Sequence, residues 1–524
     1  MLKFNIIWLY WIFRYLLLWL FQGSEMLKKI FLALLFLVVI GLGLIFCNHP
    51  QEKIFAEIAT LQDRGEFRQA EELIRGFLQS RPDLKGDTRR SLEFEIERGK
   101  RIVHDYRLTE EKLYNSLNQR MIDLTRAEFD RWQNERRFDR LMIDGEKRFV
   151  NPSASNLFFR YPGLNQRRRK YDPVSTTARF CLEQAKQLKI MSSNYPDAVM
   201  LPRKCLVEQK IMIPKDKIPA GEKVFCWMPY PSVFEIQGEV QFVNSSHPPV
   251  WLAPPASPIR AVYFETTADG NDLSVVLSYY YTAYAFYRVI DPDKVVPYSG
   301  REPEFLTYTR EEYPHEVFLD RMKQLVTSIV GSETNPYLKG KKIYNWIADS
   351  IQYSYAREYS TLRNISAYSL DKRYGDCGQQ GLLFITLCRI AGIPTRWQSG
   401  FMVYPGDEGM HDWAEIYIKP YGWLPVDPYM GIFFTSMTAD LTPEERMEMR
   451  NFYYGNMDHY RLVANKGHNL ELYPPKKFFR SETVDFQRGE VEWNGGNLYF
   501  SDWDWSISLT EINTQQTGNT VRKK

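Results

Sequence analysis

The sequence predicts an α+β protein in which a helical region and an all-β region precede a mixed domain of helices and antiparallel strands. Three patterns lead to this prediction. Apolar residues recur at helical spacing among many charges from about residue 52 to 195. Apolar residues then alternate at period two, punctuated by prolines, from about 200 to 300. Finally, an apolar helix near Cys377 is followed by three short strands that end near Asp427.

Composition divides the chain into five predicted regions. They are a hydrophobic N-terminal segment (1–50), a charged helical region (51–198), a β-sandwich of seven strands or fewer (199–302), a mixed domain (303–470) and a β-rich C-terminal extension (471–524). With 524 residues, 44% of them hydrophobic, the chain can bury several cores. The helical region is expected to open with one isolated helix–turn–helix unit, followed by helices over 87–119 and 121–147.

The N-terminal region contains two hydrophobic segments. The first, Phe4 to Phe21, is interrupted by a basic residue, whereas the second follows Met26 and two lysines and runs without interruption from Ile30 to Cys47. This second unit has the form of a secretory signal, so we expect translation to begin at Met26. A cleaved signal, a transmembrane anchor and a bacterial lipoprotein acylated at Cys47 all remain open. We expect an exported, membrane-tethered protein that faces the periplasm or the exterior.

Charge and cysteine content exclude some classes of protein. The chain has 67 basic and 64 acidic residues, a net charge of +3, so nucleic acid is not an expected partner. Its 6 cysteines are too few for a disulfide-stapled scaffold of this length, although a Cys205–Cys226 bond is left open.

Three residues in the mixed domain suit nucleophilic catalysis. Cys377 lies in a Gly-Asp-Cys-Gly sequence at the start of a predicted helix, where free N–H groups should favour a thiolate and could hold an oxyanion. His411 opens the second predicted strand and Asp427 follows the third. Together they supply a nucleophile, a general base and a carboxylate that orients the base.

Neighbouring residues receive structural interpretations. Cys388 is predicted to be inert packing, and Asp376 and Glu415 are predicted to make structural hydrogen bonds. The polar segment Tyr404–Gly409 is either a loop that gates a cleft or a plain surface connection.

Strand geometry gives a further prediction. A four-residue loop over Lys419–Gly422 would place Ala414 opposite Asp427 and would turn the Asp427 carboxylate away from His411. The three residues can therefore act together only if the loop has an odd length or a bulge. We predict that shift in register.

These motifs, from about Tyr337 to Gly431, resemble the transglutaminase-like superfamily, a branch of the papain-like cysteine enzymes. The matching segments occur in the family's order and are 343–347, 351–355, 375–378, 392–396, 411–415 and 422–428. The resemblance implies that Cys377 is the nucleophile, His411 the general base and acid, and Asp427 the orienting carboxylate. It also implies a small antiparallel sheet packed on the nucleophile helix, and no cofactor or metal.

The resemblance leaves three function classes open. The first is a hydrolase that cleaves peptide or amide bonds through an acyl-enzyme, and the second is a protein cross-linking enzyme in which an amine intercepts that acyl-enzyme. The third, a non-catalytic interaction module, fits the complete set of three residues least well. The hydrolase is ranked first because the chain is expected to be tethered and lacks the multidomain extension of animal cross-linking enzymes. The expected partners are a protein or peptide substrate and the membrane; the sequence gives no oligomeric state.

Overall fold

The computed structural model describes residues 50–512 of the chain. The predictions for the signal or anchor segment and for Cys47 lie outside the described residues. Between residues 50 and 512, none of the helices is both long enough and apolar enough to cross a bilayer. The chain divides into two compact units, Met1–Gly99 and Lys100–Lys524, each of which is described by itself.

The described part of the first unit is helical. Its elements are α1 (Pro50–Asp63), α2 (Phe67–Ser80) and the first part of α3 (Asp87–Asp105). Ile58, Ile74 and Leu92 recur on the inner faces of these helices and are fully buried against one another. The predicted helix–turn–helix is α1 and α2, joined by a turn in which Gly65 has a φ of 79°.

Helices also begin the second unit, but both helices predicted from the sequence differ in extent: the one predicted over 87–119 is interrupted after Asp105, and the one predicted over 121–147 is too long. The helices here are α4 (Glu110–Arg120), α5 (Arg126–Asn134), α6 (Ser153–Arg160) and α7 (Thr176–Met191). The helix predicted over 121–147 stops where α5 ends, and a hairpin of β1 (Arg140–Ile143) and β2 (Glu146–Phe149) follows. Asp144 and Gly145 in its turn both have positive φ, a conformation that suits a hairpin and breaks a helix.

The predicted β-region consists of antiparallel strands. They are β3 (Val199–Ile213), β4 (Lys223–Pro229), β5 (Gln237–Ser245), β6 (Pro249–Leu252), β7 (Ala261–Thr267) and β8 (Leu273–Phe286). Cys205 and Cys226 lie buried among apolar side chains of this region, and both are free thiols.

The mixed domain follows. Its elements are α8 (Pro303–Tyr308), α9 (Asp320–Val330), α10 (Pro336–Ser350), β9 (Gln352–Tyr353), α11 (Ile365–Lys372), β10 (Tyr374–Gly375), α12 (Cys377–Ile390), β11 (Thr395–Tyr404), β12 (Asp407–Ile418), β13 (Gly422–Val426), α13 (Pro428–Ser436), α14 (Pro443–Phe452) and β14 (Arg461–Asn465). Four strands form an antiparallel sheet in the order β13-β12-β11-β14. The α12 helix is apolar on all sides because it packs between this sheet and α10, where Leu383, Phe384 and Leu387 are fully buried.

The last strands complete the β-sandwich. They are β15 (Glu490–Trp493), β16 (Gly496–Leu498) and β17 (Asp504–Glu511). The two sheets of the sandwich have the orders β16-β15-β4-β7-β6 and β17-β3-β8-β5. The strands assigned from the sequence to a C-terminal extension thus pair with β4 and β3, which would otherwise present unpaired edges. The α+β class with antiparallel sheets is confirmed.

Candidate functional site

Cys377 is the first residue of α12, as predicted, and its helix start is tightly built. Asp376 caps the helix, because its Oδ1 accepts hydrogen bonds from the Gln379 N–H at 3.1 Å and from the Tyr359 hydroxyl at 2.7 Å. A Cβ on Gly378 would lie 2.2 Å from that hydroxyl, so only glycine fits there. The Cys377 side chain is partly exposed, whereas Cys388 of the same helix is fully buried, as expected for packing.

His411 and Asp427 form a buried pair. His411 Nε2 lies 2.7 Å from Asp427 Oδ2, and both side chains are shielded from solvent. The register explains the contact: Ile418 pairs with Gly422 and Ala414 with Val426, so the loop has an odd length and Asp427 lies on the His411 face of the sheet. The predicted register shift is confirmed.

A third charged side chain, Arg461 of β14, contacts this pair and was not predicted from the sequence. Its Nη1 lies 3.1 Å from Asp427 Oδ2, and its side chain is buried. Asp427 Oδ1 accepts the Met430 N–H at 3.1 Å, which caps α13. Burial alone would raise the pKa of Asp427, but His411 and Arg461 together hold that pKa below its ordinary value. The Asp427 carboxylate is therefore ionised and fully partnered.

The same surroundings set the protonation of His411. Burial lowers the pKa of the imidazole, Asp427 opposes this effect, and Arg461 adds to it, with a net pKa below the ordinary value. His411 is thus neutral at neutral pH, the state that a general base requires. Its ring contacts Trp413 and Tyr429, with centroids 5.7 Å and 5.2 Å away, which fixes its orientation.

Cys377 and His411 line one cleft of about 480 Å³. In the described part of the chain, no hydrogen bond joins their side chains; the Cys377 thiol instead donates to Asp412 Oδ2 at 3.6 Å. Gln487 fixes Asp412 by donating from Nε2 to its Oδ1 at 2.8 Å. The thiol therefore rests against a carboxyl group that the sequence analysis did not single out.

The expectation that the helix start favours a thiolate is wrong for the free protein. Burial raises the pKa of Cys377 well above its ordinary value, and the Asp412 and Asp376 carboxyl groups raise it further. A hydrogen bond from the Asp412 backbone lowers it, but the net shift is upward. In this cleft, desolvation and negative charge outweigh the helix dipole.

The cleft is rich in carboxyl groups. Apart from Cys377, His411 and four tyrosines, its ionisable lining consists of the acidic residues Glu358, Asp376, Asp407, Asp412, Glu482 and Asp485 and the basic residues Arg357 and Arg488. Burial raises the pKa of Asp376 to about 6 and that of Asp485 to about 7. Glu482 and Asp485 lie between β14 and β15, outside every motif in the sequence, and were not predicted.

Two further predictions concern residues around the cleft. Glu415 pairs with Arg396 at 2.5 Å, and Asp376 caps α12, so both make the predicted structural hydrogen bonds. The segment Tyr404–Gly409 is a tight hairpin: Tyr404 pairs with Asp407, and Gly406 has a φ of 78°. This geometry is that of a short connection between β11 and β12.

One cluster has the composition of a metal site. Single ligand atoms of Glu312, Glu316 and His468 lie within 4.8 Å of one another. However, His468 Nε2 already lies 2.7 Å from Glu316 Oε1, and Arg389 Nη1 lies 3.1 Å from Glu312 Oε2. A cation there would have to displace the Arg389 guanidinium, so this cluster is better described as a buried ion network.

One segment of the chain matches a known family. Residues 323–428, which contain Cys377, His411 and Asp427, match the model of the transglutaminase-like superfamily, and the predicted resemblance is confirmed for this segment. An uncharacterised protein of Haemophilus influenzae (strain ATCC 51907 / DSM 11121 / KW20 / Rd) is 24% identical over 230 residues, covering 38% of this chain and 60% of that protein.

Two solved structures are also similar to this chain. A Cytophaga hutchinsonii protein described as a candidate cysteine protease has 15% identity and a TM-score of 0.39, covering 60% of this chain and 93% of that one. The periplasmic domain of TgpA from Pseudomonas aeruginosa has 11% identity and a TM-score of 0.24, covering 49% of this chain and 94% of that one.

Proposed function

We propose, on the premise that residues 323–428 form a transglutaminase-like domain, that this protein is a cysteine hydrolase of amide bonds in peptides or proteins. One observation carries the proposal: the buried His411–Asp427 pair opens onto the same cleft as Cys377. A buried histidine held by a carboxylate beside a cleft thiol is the arrangement that thiol catalysis needs.

The chemistry follows from the hydrogen bonds. Because Nε2 of His411 is bonded to Asp427, Nδ1 is the nitrogen left to accept the Cys377 proton. The sulfur then attacks the carbonyl carbon, and the N–H groups of Cys377 and Gly378, which precede the first intrahelical bonds, stabilise the oxyanion. The C–N bond breaks as the imidazolium protonates the leaving amine. Water next attacks the thioester, releasing the acid and restoring the thiol.

Hydrolysis is favoured over cross-linking by the charge of the cleft. A cross-linking reaction needs a neutral amine as the nucleophile. The acidic groups around Cys377 would hold an entering amine as its ammonium ion, which has no lone pair for attack. Water is uncharged and is not affected in this way.

We also propose an exported, membrane-tethered enzyme whose catalytic domain faces the periplasm or the exterior. The support is the sequence alone: two lysines after Met26 precede the uninterrupted apolar run Ile30 to Cys47. Fractionation of bacteria that express the full chain, followed by protease accessibility of spheroplasts, tests this part. A cytoplasmic, protease-protected protein would overturn it and would leave the hydrolase proposal intact.

A peptide library with mass-spectrometric detection tests the activity. The intact chain should release new carboxyl termini or free acids, and Cys377→Ala should abolish this, whereas Cys388→Ala should not. A labelled primary amine added in excess should be incorporated only weakly. Efficient Cys377-dependent incorporation would identify a cross-linking enzyme instead, and no Cys377-dependent product of either kind would identify an interaction module.

A further inference from the structure

We propose that the cleft beside Cys377 contains a cation subsite, formed by Asp412, Glu482 and Asp485, that binds a primary ammonium group of the substrate. This inference rests on the proposed function for the bond that is cleaved, but binding of the ammonium group does not require turnover. It assigns the substrate class: peptides that carry a lysine-like side chain or a free α-amino group near the scissile amide.

The main observation is the carboxylate of Asp485. This side chain lines the cleft and is only 5% exposed, yet between residues 50 and 512 it has no hydrogen-bond partner and no ion pair within 4.0 Å. Buried carboxylates are normally paired, because loss of their hydration is otherwise uncompensated. A positively charged ligand that donates hydrogen bonds would therefore supply the partner that this cleft-facing carboxylate lacks.

Two neighbouring carboxyl groups have unused acceptor capacity. Glu482 accepts only the Val484 N–H, at 3.0 Å on Oε1, and Asp412 accepts Gln487 on Oδ1 and the Cys377 thiol on Oδ2. A carboxylate can accept about four hydrogen bonds, so each retains free lone pairs. Glu482 and Asp412 are as deeply buried as Asp485, at 6% and 2% exposure.

The nearby basic side chains are committed elsewhere. Arg488 is paired with Glu358 through two contacts, at 2.7 Å and 3.3 Å. Arg480 donates to the backbone carbonyls of Leu470 and Asp485. Among the residues that the structure describes, Asp412, Glu482 and Asp485 therefore have no paired basic side chain, and because the pKa of each is raised, a bound cation would favour their ionised forms.

The spacing of the carboxylates favours an ammonium group over a metal ion. Across residues 50–512, oxygen atoms of these three residues do not all lie within 4.8 Å of one another, the spacing that ligands of one metal ion need. An ammonium group can donate hydrogen bonds to one or two of the carboxyl groups and be attracted by the charge of the third, so it does not need three converging oxygen atoms. A guanidinium group is planar and binds best to both oxygen atoms of a single carboxylate. Acceptors on separate side chains do not offer this arrangement.

Binding of the cation has a consequence for the nucleophile. Asp412 and Asp376 raise the pKa of the Cys377 thiol, so a positive charge placed among these carboxylates opposes that effect. The bound ammonium group therefore makes the thiol easier to deprotonate by His411. A substrate that carries the ammonium group therefore binds more tightly and reacts with a thiol that is more easily deprotonated.

Alkylation of the intact chain with charged and neutral reagents tests the subsite without any turnover. Labelling of Cys377 by 2-bromoethylammonium and by iodoacetamide is followed by mass spectrometry at neutral pH, and each rate is divided by the rate for N-acetylcysteine amide. The normalised rate should be at least about tenfold higher for the ammonium reagent. Asp485→Asn and Glu482→Gln should each remove most of this preference, whereas Asp320→Asn, whose side chain is 90% exposed on α9, should keep it.

Two results would overturn the subsite. They are a normalised preference near one and a preference that survives Asp485→Asn. Failure of the proposed function looks different: the preference would be present, but no Cys377-dependent product would form. If the enzyme turns over lysine and norleucine peptides equally well, the subsite fails and the hydrolase stands.

Discussion

Replacing Asp485 by asparagine should stabilise the folded protein, and should do so more strongly at higher pH. Burial raises the pKa of this carboxyl group from 3.8 to about 7. Arg488 and Arg480 lower the pKa by smaller amounts, and Asp376 and Glu358 raise it slightly. The folded state therefore holds this proton more tightly than the unfolded state does. At pH values below the pKa of the group in the unfolded state, the group does not reduce stability. Stability is lost as the pH rises from that value through the pKa of the group in the folded state.

The magnitude follows from the shift. A difference of about three pKa units corresponds to about 4 kcal/mol of lost stability above about pH 7, and at about pH 5 only about 1.5 kcal/mol of it is felt. Asparagine has nearly the same shape and does not ionise, so it removes this loss. The stabilisation by Asp485→Asn should therefore grow by roughly 2–3 kcal/mol between about pH 5 and about pH 8. Protons taken up by Asp412 and Glu482 would reduce this figure without reversing its sign, because the pKa of each is also raised by Asp485.

Urea unfolding of the two proteins at both pH values measures this difference, because the midpoint shifts with stability when the slope is unchanged. Asp320→Asn removes an exposed carboxylate and should change stability little at either pH. A difference between Asp485→Asn and the unchanged protein that is independent of pH would refute the reasoning. Destabilisation that grows with pH would show instead that Asp485 is paired in the folded state.

Three other substitutions test the remaining parts of the site and the fold. Asp427→Asn should lower kcat by orders of magnitude and also destabilise the protein by about 3 kcal/mol, because Arg461 loses the nearer of its two buried counter-charges, Asp427 and Asp458. Full stability in a melting experiment would contradict that pairing. Arg461→Met removes a positive charge that lowers the pKa of His411, so this pKa should rise. The acidic limb of the pH profile of kcat/KM should therefore move to higher pH. If the limb does not move, the charge of Arg461 is screened from His411. Gly400→Ala should prevent folding, because a Cβ at this position would lie 1.9 Å from a backbone carbonyl oxygen of β14. The control is Gly409→Ala, whose Cβ would have no atom within 4 Å, so the melting temperature of this variant should be unchanged.

The parts of the structure that the sequence predicted are those set by local rules. The capping sequence and the apolar run predict a helix that starts at Cys377. Side chains alternate between the two faces of a strand, so the requirement that His411 and Asp427 share one face predicts a loop of odd length. The hairpin at Asp144 was missed because charged, helix-compatible residues surround its Asp-Gly turn. The C-terminal strands were recognised, but their pairing with β3 and β4 depends on long-range contacts.

The parts that were missed depend on chain segments brought together from a distance. Arg461 comes from the sheet edge, and Glu482 and Asp485 come from the connection that follows it. None of them lies in a motif, so no spacing predicts that they reach Cys377 or His411. The pKa of Cys377 was predicted in the wrong direction for the same reason: the helix start is visible in the sequence, but the carboxyl groups that oppose it are contributed partly by other elements.

The charge of the cleft links selectivity to reactivity. In the free protein, burial and the carboxyl groups beside Cys377 keep its thiol protonated, so the thiol is a weak nucleophile before a substrate binds. If an ammonium group binds among them as proposed, it would lower the free energy needed to form the thiolate, so binding energy would be used in the reaction itself. A peptide without that group should then have a lower kcat as well as a higher KM, and the unpartnered Asp485, which we expect to destabilise the fold, would contribute most to this discrimination.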